Sequence, residues 1–195
     1  MTTAYMRDFI DEIGQRYHGL VVITGPVGSG KTSTVERLES EVSSKQRGRY
    51  FRVGMIEPSR ESGLMFVNNF LPSDLSVEEK VQFERGIQHS AARWDPAGVF
   101  IDDIDKLDVD MCNSALNMAL TGAVVIVSLE ADTAEEAVKY LADKTGSGVG
   151  PNSILAVALA KVVVCKGFNA PIGSPVTVDV AELDEEFYQR VADME

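Results

Sequence analysis

Gly19-Leu20-Val21-Val22-Ile23-Thr24-Gly25-Pro26-Val27-Gly28-Ser29-Gly30-Lys31-Thr32 sets a run of branched apolar residues directly against a glycine-rich turn. The first half reads as a strand buried on both faces, which is the habit of a parallel sheet covered by helices. The second half fills the pattern G-x-x-x-x-G-K-[ST], and helix-forming residues follow it. That context matters to the chemistry. Glycines let successive backbone N–H groups turn inward, and the N-terminus of the next helix adds its dipole, so the turn can hold anionic phosphates. Lys31 is placed to reach the β- and γ-phosphates of a nucleotide, and the Thr32 hydroxyl to sit on Mg²⁺. The candidate nucleotide-contacting run is therefore Gly25, Pro26, Val27, Gly28, Ser29, Gly30, Lys31, Thr32 and Ser33, with a nucleotide and Mg²⁺ expected there.

Outward from this turn, helical and strand signals alternate, which is an α/β pattern. Residues 4–16 place Met6, Phe9, Ile10 and Ile13 on one helical face. Strands are expected at Tyr50 to Ile56, Val99 to Asp103 and Val124 to Leu129. Helices are expected from Ser76 with Glu79 towards Trp94, over residues 109–120, and after the Thr133/Glu136 capping box. The run Gly146-Ser147-Gly148-Val149-Gly150-Pro151 ends the last of these. An apolar segment over 154–165, a hairpin around Asn169 to Pro175 and an acidic helix from about Leu183 complete the chain. No repeat or low-complexity linker interrupts it, so one domain over 1–195 is expected: an N-terminal helix (1–17), a core (18–168) and a tail (169–195).

Composition narrows the function classes. The chain has 195 residues, with 18 Lys and Arg against 30 Asp and Glu, a formal net charge of −12. Such acidity argues against nucleic acid or an anionic membrane as a broad partner, since both require basic surfaces. Two cysteines and no signal-like start imply a reducing, cytoplasmic setting without a disulfide framework. The longest apolar stretch, Ile154 to Cys165, contains Lys161 and is too short to span a bilayer.

Val99-Phe100-Ile101-Asp102-Asp103 is an apolar run ending in two carboxylates. Ligands of open α/β sheets sit beyond the C-terminal strand ends, where one carboxylate can order the Mg²⁺ shell and another can orient the attacking water. Successive strand residues face opposite ways, so Asp102 and Asp103 reach one point only if the strand bends. Asp103 is the first choice for a direct role, as a catalytic and metal-holding residue, and Asp102 the second, on the metal. A solvated acidic turn is the alternative, because Asp105, Asp108 and Asp110 follow.

Taken together, these motifs resemble the hexameric ATPases of bacterial type II and type IV secretion and of type IV pili, retraction motors included. Gly19–Thr32 looks like the strand and Walker A loop of that family. Ile56-Glu57-Pro58 is similar to a shortened form of its acidic box, I-E-D-P, and Arg93-Trp94-Asp95-Pro96 to its R-x-D-P. Asp102-Asp103-Ile104-Asp105 falls on its G-E-[IM]-R, Ala115-Leu116 with Ala119 and Thr121-Gly122 on the following helix, and Val127-Ser128-Leu129-Glu130 on its T-L-H strand. The match covers roughly residues 17–168. It implies a RecA-like P-loop NTPase fold, a three-layer α/β/α sandwich with a largely parallel sheet. It also implies Mg²⁺-dependent ATP binding and hydrolysis, with Glu57 as the catalytic carboxylate that polarises water. A homo-oligomer, hexameric in the family, or docking on a related motor ATPase would follow.

The departures from the family bear on turnover. Glu130 stands at the family's histidine, Asp105 at its Walker B arginine and Asp103 at its glutamate, and the arginine-supplying N-terminal domain has no counterpart. Loss of an arginine finger costs roughly 10³–10⁵ in rate. A nucleotide-binding regulatory or assembly module with little hydrolysis therefore stays open as an alternative. So does a DNA-directed AAA+-type ATPase, because Val99 to Asp105 also resembles that group's Walker B, and a small-molecule kinase is a third. Lys45 to Arg52 is the basic cluster of an acidic chain, and reads either as a solvated loop or as a contact for an acidic neighbour, a nucleic acid or a neighbouring subunit's nucleotide. Arg60 and Arg93 are weaker candidates for sensing nucleotide. His18 and His89 have no companions at ligand spacing, while Cys112 and Cys165 suit a core.

Overall fold

The computed structural model describes residues 2–4, 18–45, 50–53, 65–66, 98–107, 109–166 and 178–194. Its strands are β1 (Thr2–Ala4), β2 (Gly19–Thr24), β3 (Tyr50–Val53), β4 (Met65–Phe66), β5 (Gly98–Ile101), β6 (Val124–Ser128), β7 (Leu159–Cys165) and β8 (Val178–Val180). Its helices are α1 (Lys31–Lys45), α2 (Val109–Leu120), α3 (Ala134–Thr145), α4 (Ile154–Ala158) and α5 (Glu185–Ala192), with a 3₁₀ turn at Ile104–Lys106. The strands form one sheet in the order β1-β8-β7-β2-β6-β5-β3-β4. From β7 to β4 every pairing is parallel, and β8 and β1 are added antiparallel at one edge.

Strand periodicity divides the core in two. Leu20, Val22, Val99, Ile101, Val125, Val127, Val162 and Val164 share one face with buried residues of α2, α3, α4 and α5. Val21, Ile23, Phe100, Ile126, Val163 and Cys165 face the other way, against Val35 and Leu38 of α1. Because β2, β5 and β6 are buried along their whole length, they tolerate only apolar side chains until their C-terminal ends. Polar chemistry is thereby confined to one edge of the sheet.

Local signals place the helices on that frame. Thr133 caps α3 by accepting from Glu136 N–H at 3.1 Å, while Glu136 returns a carboxylate to the Thr133 N–H at 3.3 Å. Gly146, at φ 65°, closes the same helix in the left-handed region. Asp184 caps α5 through Phe187 N–H at 2.8 Å.

Some boundaries differ from the sequence reading. Ala4 belongs to a strand paired with β8, not to a helix, since Thr2↔Val180 and Ala4↔Val178 define its register. The apolar segment 154–165 divides: Ser153 caps a short helix, and the β-branched run Val162-Val163-Val164 takes the strand. β5 stops at Ile101 and β6 at Ser128, each short of its expected end, and β3 is described over Tyr50–Val53, residues 54–56 of the expected strand lying outside the described residues. The Ser76/Glu79 cap, the Arg93–Pro96 motif, His89 and the turn around Asn169 to Pro175 lie outside the described residues, although Cys165↔Val178 pairs the strands on either side of that turn.

Candidate nucleotide site

The phosphate loop leaves β2 at Thr24 and enters α1 at Lys31. Its conformation explains its glycines: φ is 146° at Gly25, 78° at Gly28 and 95° at Gly30, angles that L side chains rarely adopt. At Gly25 space is also decisive. A Cβ there would lie 2.5 Å from Ser29 Oγ and 2.7 Å from the carbonyl oxygen of Cys165. The Ser29 N–H closes the turn on the Pro26 carbonyl at 3.1 Å, and the Thr34 N–H starts the helical ladder on Gly30 at 2.9 Å. The first N–H groups of α1 have no intrahelical acceptor, so they face the loop as donors. Lys31 folds over it, its Nζ donating to the carbonyls of Gly25 (2.7 Å) and Pro26 (3.0 Å).

The floor beneath the loop is built by β7. Thr34 Oγ1 donates to Gly30 O at 2.8 Å and lies 3.5 Å from Cys165 Sγ. Burial pushes the Cys165 thiol up, against the smaller opposing effects of Thr34 and of the Lys31 charge. Cys165 therefore stays a neutral packing group.

Two strands over from β2, β5 ends in the aspartate pair. Asp102 is buried, and Asp103 takes the left-handed conformation at φ 49° and ψ 55°, the sole non-glycine residue with positive φ among the described residues. Aspartate tolerates this region better than most residues, but its use costs about 1 kcal/mol. The Asp103 N–H donates to Ser128 Oγ at 2.9 Å, and its carboxylate pairs with Lys106 Nζ at 2.9 Å. That hydrogen bond, reinforced by the charges of Asp103, Asp105 and Glu130, holds the Lys106 ammonium above its ordinary range. Asp105 is half-buried, and burial pushes its carboxyl up. The chain leaves strand geometry after Ile101 and enters the 3₁₀ turn at Ile104, with Asp103 in the left-handed region as its N-cap.

β6 lies between these two halves. Ile23 pairs with Ser128 and Ile101 with Val127, so the ends of β2, β6 and β5 are level. Past Ser128 the chain folds against the start of the phosphate loop: Leu129 N–H donates to Ile23 O at 3.1 Å, Thr24 Oγ1 to Ala131 O at 2.9 Å, and Gly25 bridges Ala131. Glu130 sits exposed within this stitch rather than on the strand.

The site fits a nucleotide with its metal. Ser29 Oγ is a buried hydroxyl without a hydrogen-bond partner among the described residues, inside a turn whose backbone has closed around it. Thr32 is half-buried in the first turn of α1, and Asp102 supplies a carboxylate just past the end of β5. Mg²⁺ beside phosphates commonly needs no more protein ligands than these. Pro26, Val27, Gly28 and Ser33 line the loop and helix start, with Val27, Gly28 and Ser33 exposed. Glu57, Arg60 and residues 46–49 of the basic cluster fall outside the described residues.

A model of the Type II/IV secretion system protein family matches residues 1–166. The chain belongs to that family. Within it, Type II secretion system protein E of Aeromonas hydrophila is 29% identical over 177 residues, which cover 88% of this chain and 32% of that protein. Among solved structures, the pilus retraction motor PilT with bound ADP superposes with a TM-score of 0.66 at 17% identity, over 97% of this chain and 56% of that one. The VirB11 ATPase of the Brucella suis type IV secretion system, in complex with sulphate, gives 0.64 at 16%, over 95% and 54%. These likenesses establish a RecA-like P-loop ATPase fold. The chain spans about a third of the length of the curated relative it matches and about half of these solved chains.

Against this family background, two residues stand out that local sequence patterns do not reveal. Ser128 is legible only as a hydroxyl closing an otherwise apolar strand, Val124-Val125-Ile126-Val127-Ser128. Lys106 is hidden by its acidic neighbours, although a lysine three residues after Asp103 on a tight turn is within ion-pair reach. No helix among the described residues is long and apolar enough to cross a membrane.

Proposed function

We propose that this chain binds Mg²⁺-ATP and hydrolyses it to ADP and phosphate, as the motor domain of a secretion- or pilus-type ATPase. The single observation that carries the reading is the loop Gly25–Thr32, closed by positive-φ glycines and overlaid by the Lys31 ammonium. PilT, with the same fold, carries ADP. In the proposed reaction, the backbone N–H groups of the loop and of the first turn of α1 bind the phosphate oxygens, and Lys31 releases its two carbonyls to reach the β- and γ-phosphates. Thr32 and Asp102, with Asp103 beside them, would hold Mg²⁺, which neutralises charge developing on the phosphates when bound. Glu57 or Asp103 orients the water that attacks the γ-phosphorus in line with the departing ADP oxygen. A cytoplasmic homo-oligomer, hexameric as the family resemblance implies, belongs to the same proposal.

One observation favours a second reading, a nucleotide-binding module with little turnover: the Asp103 carboxylate is already engaged by Lys106. Phosphate release measured against protein concentration, with mass determined alongside, separates the two. An ATPase gives Mg²⁺-dependent release that Lys31→Ala abolishes, rising steeply with concentration if subunits share sites. Nucleotide binding without release at any concentration supports the module. Failure of the wild type to bind nucleotide overturns both.

A further inference from the structure

We infer that Ser128 is a positioning residue for the metal-binding end of β5, transmitting the placement of the phosphate loop to Asp102 and Asp103 through its hydroxyl. The inference rests on the Mg²⁺-nucleotide reading of the site. It starts from a topological fact: β5 and β2 are not neighbours, so no backbone ladder joins the aspartate pair to the phosphate loop. The two halves of the site must keep register through β6. On one side, β6 is fastened to the loop strand by Ile23↔Ser128, by Leu129 N–H on Ile23 O and by Thr24 Oγ1 on Ala131 O. On the other side the ladder reaches Ile101↔Val127 and stops, because Asp103 turns into the left-handed region. At that point the Ser128 side chain takes over, its Oγ accepting the Asp103 N–H at 2.9 Å.

Geometry makes this bond more than a satisfied buried hydroxyl. Ser128 is 1% exposed, so its hydroxyl is held inside the fold and aimed at the Asp103 N–H. The N–H it holds belongs to the one non-glycine described residue at positive φ, a conformation that persists only where its surroundings impose it. Asp102 is the residue immediately before. Fixing the peptide between Asp102 and Asp103 therefore fixes where both carboxylates begin, and only a hydroxyl of this length at position 128 does so.

The test uses the full chain, as wild type, Ser128→Ala, Ser128→Cys and Ser128→Thr. Two quantities are read: hydrogen exchange at the Asp103 amide without nucleotide, and affinity for a fluorescent ATP analogue with Mg²⁺ and with EDTA. Ser128→Ala and Ser128→Cys should leave the EDTA affinity within about twofold, reduce the Mg²⁺-dependent gain at least fivefold and speed Asp103 exchange at least tenfold. Threonine, which keeps the acceptor, should restore both. Cysteine preserves volume with a weak acceptor, so it is the deciding variant if alanine disturbs folding. Wild-type Mg²⁺ gain and slow exchange in the alanine or cysteine variant would overturn the inference, as would threonine behaving like alanine. No Mg²⁺ effect in the wild type would overturn the underlying reading of the site, and the functional role of Ser128 with it. An unaltered Mg²⁺ effect in the variants refutes the inference alone.

Discussion

The Tyr140 hydroxyl donates to the carbonyl oxygen of Asp105 across 2.8 Å, tying the middle of α3 to the 3₁₀ turn that follows the aspartate pair. Lys144, one helical turn on, donates to the same carbonyl at 2.7 Å and to the Tyr140 oxygen at 2.7 Å. This three-residue tie anchors the 3₁₀ turn that follows the aspartate pair to α3. Tyr140→Phe removes two hydrogen bonds, the one donated to Asp105 O and the one accepted from Lys144, leaving Lys144 with the carbonyl. The expected loss is about 1 kcal/mol, read as a lower urea midpoint with an unchanged slope.

At the phosphate loop the expected effect is larger and falls on ligand affinity. Gly25→Ala drives a methyl group into Ser29 Oγ and the Cys165 carbonyl while holding an L residue at φ 146°. Stability should fall by about 1–3 kcal/mol, and ATP affinity by at least about tenfold, equivalent to 1.4 kcal/mol. Titration calorimetry and thermal unfolding on the same samples check the two parts. Wild-type affinity in the variant would mean that the loop closes otherwise.

Thr133→Ala tests the N-terminal end of α3. It deletes the acceptor for Glu136 N–H and half of a reciprocal cap. About 1 kcal/mol of stability should go, seen as a melting temperature lower by about 2–4 °C, with nucleotide affinity unchanged.

The alkaline limb of stability follows from burial. Cys165 keeps its proton in the folded chain beyond 9.0, the ordinary value at which the unfolded thiol ionises. The folded state therefore gains nothing below that pH and loses stability as pH rises from about 9 upward, because the unfolded chain alone releases the proton. Tyr188, raised by burial from 10.0, adds a loss of the same sign at higher pH. Urea unfolding between pH 8 and 10 should show a steeper decline in wild type than in Cys165→Ala. Equal slopes would show that the thiol titrates freely in the fold.

The parts of this molecule that sequence reveals are those where one local rule dominates. Leu20-Val21-Val22-Ile23 has to be a doubly covered strand, and the glycine spacing of the loop admits few other backbones. Thr133 with Glu136 announces a helix start that the hydrogen bonds reproduce. Residues whose role depends on a strand neighbour are not legible in this way. Ser128 meets Asp103 only because β6 inserts between β2 and β5, an ordering that no local pattern encodes. Ala4 reads as helical by its local pattern because its partner strand lies at the other end of the chain. Likewise, strand alternation says only that Asp102 and Asp103 point apart, whereas the turn after Ile101 leaves one carboxylate buried and the other paired with Lys106.

The antiparallel seating of β1 on β8 has a consequence for the order in which the sheet assembles. Thr2–Ala4 pair with Val178–Val180, and every other strand of the sheet lies between them in sequence. A ladder of such separation carries the largest loop-closure cost in the sheet, so the parallel strands from β2 to β7 can zip before it forms. Its docking is a ring-closing event that seals one edge of the sheet late in folding.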